Sequence, residues 1–150
     1  MPSASLNPRT DDPRTARVVE FFETLQPASL SVLATVYAEQ ARFKDPFNAV
    51  PGLDGIHRVF AHMFETVTNP RFVVHHHMSQ GDFAWLAWDF LIDRPDGTLT
   101  VRGATQLTFA PDGRVSLHRD YWDTAEELYA KLPLIGALVR WLTRRLSATA

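Results

Sequence analysis

Four positions combine side chains and surroundings suited to acid–base chemistry. Asp45, in "FKDPFN", stands between two phenylalanines and ahead of a proline. An Asp-Pro step opens turns, yet a carboxylate held between Phe43 and Phe47 at the rim of an apolar pocket is also a usable general base. Asp89 interrupts "AWLAWDFLID", a run apolar on both strand faces, with Trp85, Ala87 and Leu91 on its own face and Leu86, Trp88 and Phe90 on the other. A lone carboxylate there needs a partner or a proton. His118 and Asp120 lie two apart in "GRVSLHRDYWD", so on a strand they share a face and could share a proton. The "HHH" run puts His75 and His77 on one face, where a carboxylate could complete a metal site; the reading adopted is partly solvated strand histidines and no metal.

These groups need elements to hold them. "DDPRTARVVEFFETLQP" reads as a helix, capped by Asp12, with Pro13 in its first turn and Val18, Phe21, Phe22 and Leu25 at helical spacing. "ASLSVLATVYAEQ" reads as a second short helix, "ARFKDPF" as a strand, "NAVPGLDG" as a loop and "GIHRVFAHMFETVTNP" as a third helix. From Arg71 the period changes to two, predicting strands near 71–79, 82–92, 98–109 and 114–122, joined by turn-forming "QGD", "RPDG" and "APDG". Residues 1–11 read as a disordered tail and residues 12–150 as a single domain ending in an amphipathic helix at about 133–146. The predicted class is α+β: a cone-shaped, curved antiparallel sheet with the N-terminal helices packed on its concave face, a shape that predicts an apolar cavity.

With 150 residues, a net charge of −2 and no cysteine, the chain is expected to form one core, without disulfides, thiolate zinc sites or a basic footprint for nucleic acid. "MPSASLNPRT" has no long apolar run, and the final helix, at about 21 Å, is too short for a bilayer. The expected location is cytoplasmic, away from membranes.

The order of elements, "FKDPFN" and "GRVSLHRDYWD" together resemble the nuclear transport factor 2-like superfamily, over roughly residues 15–130. That superfamily includes ketosteroid isomerases, limonene epoxide hydrolases and SnoaL-type polyketide cyclases. The resemblance implies that Asp45 matches the isomerase base, Asp120 the water-activating aspartate of the hydrolases and the acid/base of the cyclases, and Asp89 the second hydrolase aspartate. It also implies a homodimer formed through the outer sheet face. The sequence departs from these patterns: Phe22 and Thr105 occupy the positions of the isomerase oxyanion donors, Ala87 that of the hydrolase arginine, and Phe43 and Asp45 those of its water-positioning tyrosine and asparagine. Simple alternation leaves a conflict on the last strand, because Val115 and Leu117 share one face while His118, Asp120 and Trp122 share the other. The resemblance makes the polar face the pocket face.

The resulting expectation is a cofactor-independent isomerase or cyclase that moves a proton on a hydrophobic, steroid-like or polyketide-like carbonyl compound. Asp45, Asp120, Asp89 and His118 are its candidate acid–base residues. Phe22, Phe43, Phe60, Trp85, Leu91, Val101, Thr105 and Trp122 are its candidate lining. The alternatives are an epoxide hydrolase using Asp120 and Asp89, and a noncatalytic small-molecule-binding or dimeric module.

Overall fold

The computed structural model describes residues 12–127, with residues 137 and 141. The expected tail at 1–11 and most of the expected helix at 133–146 lie outside the described residues.

Helix α1 spans Pro13–Glu23. Asp12 caps it by accepting from the Arg14 backbone N–H at 2.9 Å, and Pro13 supplies the preset φ of the first turn. Its apolar stripe, Val18, Phe21 and Phe22, is buried against the sheet, each such side chain contributing about 1.5–3 kcal/mol. The expected second helix is shorter than its pattern suggested. A 3-10 turn over Pro27–Val32 leads into α2, Leu33–Val36, and strand β1 already begins at Tyr37 and runs to Lys44. The loop reading of "NAVPGLDG" also needs revision, since Ala49–Pro51 form a short strand β2 paired with β1, and α3 starts at Gly52 and continues to Thr66. Pairing partners distant in the chain decided both boundaries, and local periodicity does not record them.

Strands β3 (Thr68–Gln80), β4 (Phe83–Arg94), β5 (Gly97–Phe109) and β6 (Val115–Tyr121) form the expected antiparallel meander. The sheet order is β2-β1-β6-β5-β4-β3, and β1 lies parallel to β6 in an otherwise antiparallel sheet. The sheet curves around α1 and α3, and the core fills the space between. A short helix α4, Thr124–Glu127, follows β6. No helix among the described residues is long and apolar enough to cross a membrane.

A bulge removes the conflict on the last strand. Thr108 pairs with Leu117 and Phe109 with Val115, so Ser116 is an extra residue in β6; its hydroxyl donates to the Thr108 carbonyl at 3.1 Å. The bulge shifts the side-chain parity by one. Val115 and His118, which simple alternation would set on opposite faces, are therefore both fully buried on the concave side.

Candidate active site

The parity set by the bulge turns Asp120 inward, next to the neighbouring strand. Thr105 of β5 is its cross-strand partner, and the Thr105 hydroxyl donates to Asp120 Oδ1 at 2.6 Å. The same hydroxyl oxygen accepts from Trp88 Nε1–H at 2.7 Å, so Thr105 bridges the indole and the carboxylate. On the other side, His118 Nε2 lies 2.7 Å from the same Asp120 oxygen, and His118 Nδ1 lies 2.8 Å from the Tyr37 hydroxyl. With the carboxylate as acceptor, His118 donates from Nε2, and its Nδ1 is bonded to the Tyr37 hydroxyl. Burial, and then the negative charge of Asp120, push the Tyr37 phenol well above its ordinary value, so it keeps its proton.

Phe22 and Phe43 pack against the His118 ring with centroids 5.5 and 4.6 Å away. His118 is 1% exposed and both its nitrogens are engaged. It holds Asp120 in place and does not itself reach a ligand. Asp120 is different. Its Oδ2 makes no hydrogen bond among the described residues, and because every fully buried polar side-chain atom has a partner, that oxygen is open to the space it faces.

Asp120 lines a cavity of about 440 Å³, bounded also by Phe43, Phe60, Val101 and Trp122, with Asp45 and Asn48 at its rim. Phe72, Trp88 and Phe90 continue the aromatic wall, and Val59, Met63 and His62 of α3 close the opposite side. A second void of about 20 Å³, lined by Phe22, Phe60, Trp88, Thr105, His118 and Asp120, lies behind it. It is large enough for one water molecule. A shallow groove runs along Lys44, Asp45, Arg119 and Asp120 outside the main cavity.

Asp45 is present at the rim, but in a different chemical condition. Its Oδ1 accepts from the backbone N–H groups of Phe47 and Asn48 at 2.7 and 2.6 Å. The Asn48 side-chain amide donates to both of its oxygens, at 3.1 and 3.0 Å. The turn therefore occupies most of the lone pairs that a base would use.

Three expected site residues are corrected. Asp89 is on the outer face of β4, between its cross-strand partners Val73 and Arg102, and lies 2.9 Å from His75 Nε2. Trp85 shares that face and packs over Tyr121 with ring centroids 5.8 Å apart. Leu91, opposite Arg71 and Thr100, also turns away from the cavity, which takes its neighbours Phe90 and Ile92 instead. The helices cover the Trp88 face of β4, and this makes Trp88 the inward residue. The two-aspartate hydrolase arrangement is not formed. Phe22 and Thr105 meet Asp120 at the small void, whereas Phe43, Phe60, Val101 and Trp122 line the main cavity.

Sequence reasoning missed Tyr37 and Trp88 as members of the site. Local period puts Tyr37 in a helix, and it leaves Trp88 on the strand face opposite the candidate lining residues Trp85 and Leu91. The small residue opposite Trp88 was a usable signal: Gly103 is its cross-strand partner, and a Cβ there would collide with the indole ring. No group of three His, Cys, Asp or Glu among the described residues is arranged to hold a metal ion.

The fold is shared with solved structures of low sequence identity. A protein with a ketosteroid isomerase-like fold from Catenulispora acidiphila, crystallised with trimethylamine, is 16% identical, covering 83% of this chain and 96% of its own, with a TM-score of 0.68. A proposed SnoaL-like polyketide cyclase from a Jannaschia species is 20% identical over 79% of this chain and 93% of its own, with a TM-score of 0.66. A proposed isomerase of the SnoaL-like family from Agrobacterium tumefaciens is 19% identical over 73% and 94%, with a TM-score of 0.62. No curated protein matches this chain. The SnoaL-like domain description matches residues 18–118, from α1 to the buried histidine beside Asp120, and the chain belongs to the SnoaL-like family within the nuclear transport factor 2-like fold.

Proposed function

We propose that the protein is a cofactor-independent isomerase or cyclase that uses Asp120 to move a proton on a hydrophobic small molecule. One observation carries this reading. Asp120 lines an aromatic cavity of about 440 Å³, its Oδ1 is held by two donors, and its Oδ2 accepts no hydrogen bond among the described residues. Anchoring one oxygen fixes the direction of the other, and positioned general acids and bases contribute roughly 10²–10⁴-fold to rate. Thr105, His118, Tyr37 and Trp88 act as positioning residues. Asp45 serves at the rim, where its turn-bound oxygens suit it to orient a ligand's polar group more than to take a proton. Membership of a family that includes a proposed isomerase and a proposed polyketide cyclase agrees with this assignment.

A panel of hydrophobic enones and polyketide-like ketones, assayed with the wild type and with Asp120→Asn and Asp45→Asn, tests the proposal. Loss of turnover in Asp120→Asn is expected. Equal turnover in the wild type and Asp120→Asn would remove Asp120 from the chemistry, and tight binding with no turnover across the panel would favour a noncatalytic binding module.

The outer sheet face supports a homodimer as its occupant. Met78, Trp85 and Tyr121 are each more than 40% exposed there, an apolar surface of the kind that marks an interface.

A further inference from the structure

We infer that the molecule accepted by this cavity is a cation, an ammonium or iminium compound with an apolar body. This narrows the substrate class and rests on the proton-transfer reading above.

The charge inventory of the cavity points one way. Among the described residues its lining includes two carboxylates, Asp45 and Asp120, one histidine, His62, and no lysine or arginine. Asp120 receives its hydrogen bonds from the Thr105 hydroxyl and the His118 imidazole, and no lysine or arginine among the described residues pairs with it. Lys44 and Arg119 line the shallow groove outside, which Asp45 and Asp120 also border. The Arg119 guanidinium is turned onto the Tyr121 ring, 4.8 Å from its centroid, and neither Arg119 nor Lys44 forms an ion pair with either carboxylate among the described residues. Two carboxylates on the wall of one apolar cavity favour a ligand that brings positive charge with it.

The walls agree with the charges. Phe43, Phe60, Phe72, Trp88, Phe90 and Trp122 surround the cavity, and the negative face of each ring attracts an alkylated or delocalised cation. The same walls would oppose an anion. Three of the lining's donors are engaged, Trp88 Nε1–H with Thr105, the Thr66 hydroxyl with the His62 carbonyl and the Asn48 amide with Asp45, which leaves the His62 ring and the Trp122 indole N–H as neutral or weak donors on the wall. An enolate formed in this cavity would face two carboxylates and aromatic faces.

A cationic carbon acid avoids that difficulty. Asp120 Oδ2 takes the proton from the carbon next to a C=N⁺ group. The C–H electron pair becomes a C=C bond and the C=N π pair moves to nitrogen, leaving a neutral enamine beside a neutral carboxylic acid. Returning the proton to the distal carbon of a conjugated system restores the cation as its isomer, and no other reactant is needed.

Phenyltrimethylammonium and its uncharged isostere tert-butylbenzene, with phenylacetate as the anion, test the inference when titrated into the full chain and followed by tryptophan fluorescence. The cation is expected to bind about tenfold or more tightly than the isostere, phenylacetate weakest, and Asp120→Asn should reduce the cation's advantage to less than about threefold. The inference is overturned if the wild type prefers the cation by less than about threefold, prefers either other probe, or binds none, or if the advantage survives in Asp120→Asn. Ketone turnover on the same preparations separates the two claims. A missing cation preference with Asp120-dependent turnover removes only this inference, whereas a cation preference with turnover independent of Asp120 removes the proton-transfer reading.

Discussion

The Thr105 hydroxyl donates to Asp120 at 2.6 Å and accepts from Trp88 Nε1–H at 2.7 Å. One threonine side chain therefore couples the place of the indole to the place of the carboxylate. Thr105→Val would leave the Trp88 N–H unpaired and deprive Asp120 of one anchor. Chemical denaturation should show a loss of about 1–3 kcal/mol, and turnover should fall about tenfold while KM changes little. Thr105→Ser should restore both.

Gly103 gives Trp88 its place. A methyl group at that position would meet the six-membered ring of the indole, which lies over its cross-strand partner Gly103. Gly103→Ala should displace Trp88, cost about 1–3 kcal/mol through overpacking, and lower turnover through Asp120 although it touches no ligand. A melting temperature and turnover equal to the wild type would show that the indole position is unimportant to the site.

Tyr37 links the site to alkaline stability. Its folded-state pKa lies above the ordinary value of 10.0, through burial first and the charge of Asp120 second. The stabilising contribution is thus fully present below about pH 10 and is lost as pH rises through the folded value. In the wild type, ionisation of Tyr37 should coincide with loss of the circular dichroism signal. Tyr37→Phe should lose that step, and it should be less stable near neutral pH by about 1–3 kcal/mol because His118 Nδ1 loses its partner. A Tyr37 that ionises while the fold persists would contradict the buried hydrogen bond.

The class of fold and the four long strands were legible because period two and the turn residues are local signals. The inward face of β4 was not. Both of its faces are apolar, and only the helices covering Trp88 distinguish them. Asp120 illustrates the same limit from the other side: strict alternation turned it outward, and the Ser116 bulge, which depends on pairing with Thr108 and Phe109, brought it in. Asp45 was readable as a turn residue, and the turn does bind it. Its place at the cavity rim depends on β1 lying beside β6, a pairing between segments more than seventy residues apart.

The outer face makes a separate prediction. Trp85 and Tyr121 stack there in the open, and a second copy would cover them. Sedimentation velocity should show a dimer for the wild type and a monomer for Trp85→Lys, with the far-ultraviolet spectrum unchanged. A monomeric wild type at micromolar concentration would remove the proposed interface.

Exchange of solvent deuterium into carbon acids is the most direct test of the central claim, because it reads proton removal without needing the natural product. Followed by nuclear magnetic resonance on a panel of hydrophobic ketones and iminium compounds, wild-type exchange should fall by at least about 100-fold in Asp120→Asn and by less than about tenfold in Asp45→Asn. Exchange that persists in Asp120→Asn but vanishes in Asp45→Asn would contradict the account and return the base to the turn at the cavity rim.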